Sequence, residues 1–381
     1  MQGVEEFRSE VRDWLAENLV GDFAALKGLG GPGREHEAFE ERRAWNRHLA
    51  QAGLTCLGWP VEHGGRGLSV AHRVAFYEEY AIADAPAKVN HFGEELLGPT
   101  LIAFGTPEQQ QRFLPRILDV TELWSQGYSE PGAGSDLANV STTAVLDSDE
   151  WVINGQKVWT SLAHWAQWCF VVVRSEKGSK RHAGLSYLLV PLDQPGVEVR
   201  PIVQLTGDSE FNEVFFDDAR TDASLVVGQP GDGWRVAMGT LTFERGVSTL
   251  GQQIVYAREL SAIVELAKST GAADDPLIRE RLTRSWAGLR AMRCYALATM
   301  DVEQPGQDNV SKLLWANWHR DLGEIAMDVQ GKAGLVLTGG DFDEWQRLYL
   351  FSRADTIYGG SNEIQRNIIA ERVLGLPREA R

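Results

Sequence analysis

The sequence predicts an α+β chain of three consecutive modules: helical, then β, then helical again. Three observations carry this. Apolar residues recur three and four apart up to about residue 120 and again from Gly233 onward, the spacing of amphipathic helices. Between those regions, short alternating or continuous apolar runs are punctuated by Asp, Gly and Pro, as strands are. The length, 381 residues, is too great for one simple core.

In chain order, helices are expected over Val4–Asn18, Glu37–Ala52, Val70–Ala83 and Pro107–Leu118. The last begins with Thr106-Pro107, a capping hydroxyl followed by proline at the first helical position. Loops rich in glycine fall at Lys27–Arg34 and Gly58–Gly67. Strands are expected at Val140–Leu146, Trp168–Arg174, Leu185–Val190 and Asn212–Asp217, forming a barrel or sandwich. Asn154-Gly155 reads as the opening of a hairpin turn. Helices resume over Val236–Lys268, Leu277–Met300, Val310–Val329 and Ile364–Val373. The expected domains are therefore 1–121, 122–227 and 228–381.

A net charge of −16 argues against a nucleic-acid binder, which needs a basic face, although a few local cations suffice for a small anionic ligand. The N-terminal segment is acidic and amphipathic without an apolar signal core, and the longest apolar run, Trp168–Val173, is far short of a membrane span. A soluble cytoplasmic protein is the expectation. Cys56, Cys169 and Cys294 form no Cys-x-x-Cys pair and the eight histidines show no paired metal spacing, so neither a disulfide scaffold nor a metal site is expected.

Four segments carry more than structure. Gly127-Tyr-Ser-Glu-Pro-Gly-Ala-Gly-Ser-Asp136 combines glycines that let main-chain N–H groups approach a ligand with hydroxyls at Ser129 and Ser135. Asn154-Gly-Gln-Lys-Val-Trp-Thr-Ser161 follows about twenty-five residues later. Val329-Gln-Gly-Lys-Ala-Gly334 and Ile357-Tyr-Gly-Gly-Ser-Asn-Glu-Ile-Gln-Arg366 lie in the last third. Together with Gly58-Trp-Pro-Val-Glu-His-Gly-Gly65, in this order and at these separations, they resemble the acyl-CoA dehydrogenases, flavoproteins that oxidise the Cα–Cβ bond of an acyl thioester.

The resemblance implies a C-terminal four-helix bundle, FAD as cofactor, an acyl-CoA substrate and an electron-transfer flavoprotein as partner. It places Trp159 over the isoalloxazine, the Ser161 hydroxyl at flavin N5 and Ser129 on the pyrimidine side. A hydroxyl donor suits N5, which becomes N–H on reduction. Gln330 and Gly334 correspond to residues that reach the pyrophosphate of a neighbouring subunit's flavin. Gln126, Tyr128, Gly134, Ser361 and Glu363 are assigned to the cofactor as well, and Ser135 to both cofactor and substrate. Tyr128 stands where the family usually has an aliphatic residue.

In many family members the residue after the Ile-Tyr pair is the glutamate that removes the α-proton; here it is Gly359. A carboxylate on an otherwise apolar helix face is found instead in Leu241-Thr-Phe-Glu-Arg-Gly246: stepping along one face gives Leu241, Glu244, Ser248, Gly251 and Val255. Glu244, followed by Arg245, matches the position at which the isovaleryl-CoA and long-chain branches carry their base. Apolar surroundings would raise its pKa toward the range of a general base. Gly359 keeps the backbone N–H that, by resemblance, binds the thioester carbonyl together with the flavin ribityl 2′-hydroxyl, and it leaves room for a bulky acyl group. Arg245 is expected to orient the thioester end of CoA.

The segment Glu265–Glu280 lacks the Arg-x-x-Phe-Gly element whose arginine and phenylalanine reach a neighbour's flavin in most members. Its absence together with Gly359 resembles the branch acting on branched or steroid side-chain CoA thioesters, whose members assemble from two unlike subunits. A homo-oligomer and a heterotetramer with a related subunit both stay open. So do an acyl-CoA oxidase or flavin monooxygenase on the same fold, and a non-catalytic scaffold subunit.

Overall fold

The computed structural model describes residues 3–243, 248–299, 305–337 and 339–378. The helices are α1 (Val4–Asn18), α2 (Phe39–Gln51), α3 (Val70–Ile82), α4 (Gly98–Phe104) and α5 (Pro107–Leu118) before the strands. After them come α6 (Gly233–Phe243), α7 (Ser248–Thr270), α8 (Pro276–Thr299), α9 (Gln307–Gln330), α10 (Glu344–Asp355) and α11 (Asn362–Ile368). The strands are β1 (Trp124–Gly127), β2 (Thr143–Asp147), β3 (Glu150–Ser161), β4 (Trp168–Arg174), β5 (Leu185–Pro191), β6 (Val197–Ile202) and β7 (Phe211–Asp222).

Two compact units arise, and they do not follow chain order. One gathers residues 1–17, 70–84 and 246–381; the other gathers 18–69 and 85–245. In the first, α7 to α10 share a core of Tyr256, Leu260 and Ile263, Ile278, Leu282 and Leu289, Trp318, Leu322 and Ile325, and Trp345. Gly251 lets α7 lie against α3, since a Cβ there would meet the Tyr77 carbonyl at 2.9 Å. Arg8 and Arg12 of α1 reach the buried Glu78 and Glu79 of α3, and Arg293 of α8 also reaches Glu78, so both buried carboxylates are paired.

The second unit is built on one mixed sheet of order β1-β4-β2-β3-β7-β6, with β5 added on β4. β4 and β5 read as continuous apolar runs because both faces are covered: Phe170, Val172, Leu185, Tyr187 and Leu189 face the helical core with Phe113, Leu101 and Val236, while Cys169, Val171, Val173, Leu188 and Val190 face Val214 and Phe216. Thr106 caps α5 through the expected capping box with Gln109.

The structure corrects the sequence at Asn154-Gly155. No hairpin turn forms there: both residues lie inside β3, where the register against β7 shifts between Ile153 and Gly155. Gly155 adopts φ +149°, and a Cβ would stand 2.6 Å from Thr142 Oγ1, so this glycine serves a bulge and a close approach. The turn into β3 is instead made around Ser148, at φ +58°. β6, α4 and α10 also lie where the sequence reading placed no element. Among the described residues no helix is long and apolar enough to cross a membrane.

Candidate active site

In the second unit, β1 delivers Gln126 and Gly127 to the loop 128–136. Gly127 is dictated by packing, because a Cβ would come within 2.9 Å of Cys169 Sγ. Tyr128 turns into the core, edge-on to Phe170 and Tyr187, with centroids 6.0 and 6.2 Å away. Gly134 and Ser135 are exposed, and a Cβ at Gly132 or Gly134 would meet nothing within 4 Å, so the loop presents an open backbone.

That loop is held by a buried ion pair. Lys157 Nζ, with no side-chain exposure, lies 2.7 Å from Glu130 Oε1 and also donates to the carbonyls of Tyr128 (3.2 Å) and Val172 (2.7 Å). Glu130 further accepts from the Ser141 N–H (2.6 Å), the Ser141 hydroxyl (2.8 Å) and the Thr142 N–H (2.9 Å). Burial works against the Glu130 charge, but the Lys157 ammonium and these donors outweigh it and hold the carboxyl down at about 2. Burial lowers Lys157 against the attraction of Glu130. The Val158 N–H donates to the Ser129 carbonyl at 2.9 Å, which ties the loop to β3.

The end of β3 carries the second motif. Register against β7 shifts between Lys157 and Thr160, and in that irregularity Trp159 takes φ +61°. The bulge re-aims its indole, which is 56% exposed and stands edge-on to Phe211 at 6.2 Å. Ser161 pairs with Phe211, and Asn212 Nδ2 donates to the Thr160 carbonyl at 3.0 Å. The Leu162 N–H donates to the Glu210 carbonyl at 2.8 Å, while the Glu210 side chain accepts from the Gly33 N–H at 2.8 Å. Burial first, then the nearby Glu35 carboxylate, raise Glu210 to about 8.

In the first unit, Gln330 ends α9 and donates to Asp343 Oδ2 at 2.7 Å. Gly334 packs under it, since a Cβ there would meet Gln330 Oε1 at 2.7 Å. The Gly334 carbonyl accepts from Gln346 at 2.9 Å. Beyond α10 the chain turns through Gly359 (φ +61°) and Gly360 (φ +87°) into α11, which Ser361 caps by accepting from the Ile364 N–H. Glu363 is exposed in the first turn of α11, where a carboxylate faces the positive end of the helix. Gln365 Nε2 donates to the carbonyls of Gly359 (3.0 Å) and Gly360 (3.2 Å). The Gly359 N–H is left without a partner among the described residues.

Glu244 and Arg245 lie outside the described residues. Of the helix face expected to carry Glu244, Gly251 is buried whereas Val255 is 42% exposed. The sequence reading passed over Glu130, Lys157 and Glu210. A signal for Lys157 existed: it occupies the inward-facing phase of β3 in the stretch that holds Ile153, where a charge requires a buried partner.

These local geometries lie on a chain that three domain profiles match throughout: the acyl-CoA dehydrogenase N-terminal domain over residues 2–121, the middle domain over 125–219 and the C-terminal domain over 231–374. The chain belongs to the acyl-CoA dehydrogenases. It is 86% identical over 388 residues to acyl-CoA dehydrogenase IpdE1 of Mycolicibacterium smegmatis, covering 99% of each chain. Among solved structures it resembles a Tcur3481-Tcur3483 steroid acyl-CoA dehydrogenase at 30% identity and TM-score 0.83, covering 99% of this chain and 98% of that one. The ChsE4-ChsE5 complex from Mycobacterium tuberculosis matches with the same identity, TM-score and coverage. The three-module fold expected from the sequence is thus that of this enzyme family, and the enzyme is an oxidoreductase.

Proposed function

We propose that this acyl-CoA dehydrogenase uses FAD to introduce an α,β double bond into a branched or bulky acyl-CoA thioester, with a steroid side chain as the favoured class. The observation that carries the reading is Gly359: an exposed residue in a turn at φ +61°, whose N–H has no partner among the described residues and which brings no side chain to the position after Ile357-Tyr358. The resemblance to a steroid acyl-CoA dehydrogenase, Tcur3481-Tcur3483, supports the substrate class.

The residues present suit a flavin. The exposed Trp159 ring offers a flat apolar surface, the loop at Gly132–Ser135 offers open backbone, and Gln126 Nε2 and Thr160 Oγ1 are buried polar atoms without a partner among the described residues. FAD, when bound, supplies the acceptor for the β-hydride. Trp159, Ser161, Ser129, Ser135, Gly134 and Gln126 would form its cradle with Tyr128 packed behind them, Gln330 and Gly334 would reach the pyrophosphate of a neighbouring subunit's flavin, and Ser361 and Glu363 would serve cofactor groups. Glu244 removes the α-proton. The Gly359 N–H donates to the thioester oxygen as negative charge builds there, a contact typically worth about 3 kcal/mol of barrier. Arg245, whose guanidinium stays protonated, orients the thioester end of CoA.

Electrons then pass to an electron-transfer flavoprotein. The absent Arg-x-x-Phe-Gly element and the resemblance to the ChsE4-ChsE5 complex favour a heterotetramer in which a related subunit completes the flavin contacts. Glu244→Gln tests the base: the variant is expected to bind FAD at wild-type stoichiometry and to lose turnover on a panel of thioesters running from short branched to steroid side-chain. Wild-type turnover by that variant would remove Glu244 from the mechanism. A fully flavinylated, active homotetramer of this chain alone would remove the second subunit.

A further inference from the structure

A buried charge cluster lies behind the Gly359 turn, in the first unit. His319, in α9, is buried and stacked on Tyr256 of α7 with centroids 4.5 Å apart. Its Nδ1 lies 2.6 Å from Asp355 Oδ2 and its Nε2 lies 3.1 Å from Glu259 Oε2. Two carboxylates accept and do not donate, so both ring nitrogens carry protons and the ring is an imidazolium. Burial pulls His319 down, but Asp355 and Glu259 outweigh it and raise it to about 9.

Asp355 is the last residue of α10, 1% exposed, and its acceptors are engaged on every side. His319 holds Oδ2, the Tyr358 hydroxyl donates to Oδ1 at 2.6 Å, and the Lys312 ammonium donates to the backbone carbonyl. That ammonium also lies 4.0 Å from the Trp315 ring and 4.6 Å from the Tyr358 ring. Tyr358 is therefore fixed at both its hydroxyl and its face, and Gly359 is the next residue. On the far side of the turn Gln365, held by Asn309, takes the carbonyls of Gly359 and Gly360.

We infer that His319 is a positioning residue: by clamping Asp355, and Tyr358 through it, the ring fixes the direction in which the Gly359 N–H points. This rests on the reading that this N–H receives the thioester carbonyl. The arrangement is hard to account for by stability alone. A buried imidazolium between two carboxylates is no more stable than an apolar filling of the same volume, and its distinctive property is that it admits one geometry. Residues 356–361 form a turn with two glycines whose own backbone bonds sit at its two ends, Tyr358 N–H to the Ala354 carbonyl and Asn362 N–H to the Thr356 carbonyl, both 3.0 Å, so the Gly359 peptide between them is held through Tyr358 and Gln365.

The test uses the flavin-loaded enzyme, assembled with its partner subunit if it has one, as wild type, His319→Gln and Tyr358→Phe. Amide hydrogen exchange of the peptide covering 356–362, without substrate at pH 7, reads the positioning directly. It should quicken by about tenfold or more in His319→Gln, as for the loss of a charge-assisted hydrogen bond, with the other peptides that exchange by local opening unchanged. The functional probe is acetoacetyl-CoA, whose second carbonyl acidifies the α-proton, so that binding is read as the long-wavelength band of an enolate lying against oxidised flavin. That band should fall in both variants at unchanged flavin content. If His319→Gln does not fold, Tyr358→Phe carries both measurements, because it deletes one hydrogen bond of a partly exposed side chain. Unchanged exchange at 356–362 overturns the inference. Faster exchange with a full enolate band overturns the link from the turn to the thioester, and no band in the wild type overturns the thioester reading itself.

Discussion

Lys157→Met shortens a fully buried side chain by one heavy atom and deletes its charge. In the wild type the ammonium stands 2.7 Å from Glu130 and serves two backbone carbonyls besides. The variant leaves Glu130 with three donors, from Ser141 and Thr142, but without a counter-charge, and breaking a buried pair from one side typically costs about 3–5 kcal/mol. Adding Glu130→Gln removes the uncompensated charge, so the double variant should lie within about 2 kcal/mol of wild type, a coupling large enough for a double-mutant cycle to resolve. Urea unfolding at pH 7 gives the free energies. The wild-type pair also has an acid signature: Glu130 titrates at about 2 against an ordinary 4.5, so its stabilisation is present above 4.5 and is lost as the pH falls toward 2. A Lys157→Met variant that loses less than about 1 kcal/mol would show that water reaches the pair, and the reading that this pair holds the 128–136 loop would fail with it.

Other outcomes follow from the same geometry. Glu210 is raised to about 8, so folding at neutral pH must protonate it; the stability it allows is full below 4.5 and lost as the pH rises through 8. Glu210→Gln should therefore stabilise the protein by about 1–3 kcal/mol at pH 8, flattening the pH dependence of thermal unfolding between 5 and 8. For His319, raised from 6.5 to about 9, the protonated ring stabilises fully below 6.5 and ceases to as the pH passes 9. His319→Gln should then be about 2 kcal/mol less stable than wild type at pH 7, with a gap that closes by pH 10 in melting experiments. Gly155→Ala should cost about 1–3 kcal/mol in urea unfolding, since its Cβ would stand 2.6 Å from Thr142 Oγ1 at φ +149°.

The elements legible in the sequence are those whose signal is local. α1 and α5 start and stop where periodicity, Thr106 and Pro107 say, and β4 and β5 stand out because both faces are apolar. Asn154-Gly155 misled because the pair is a strong hairpin cue, yet here the flanking strand runs on through a bulge that only the presence of β7 and Thr142 makes favourable. α4 was hidden by Gly98-Pro99, which reads as a breaker but sits in the first turn, where proline is tolerated. At the site, contiguous motifs could be read, while the partnerships that hold them could not. Lys157 meets Glu130 across 27 residues, His319 meets Glu259 across 60, and Gly33 meets Glu210 across 177. Such pairs are fixed by tertiary packing, which leaves no periodicity along the chain. Tyr128 was singled out as an unusual residue beside the cofactor, and the structure turns its ring into the core against Tyr187.

Trp159 bears on how this enzyme could be engineered. A bulky residue held at φ +61° carries a conformational penalty of about 1–2 kcal/mol that glycine would escape, and its indole is 56% exposed. Selection for melting temperature on the empty protein would accordingly favour glycine at 159 and reward the loss of the ring proposed to cover the flavin. Thermostabilisation of this chain should be scored on the loaded enzyme, where the proposed role turns the same tryptophan from a liability into a contact.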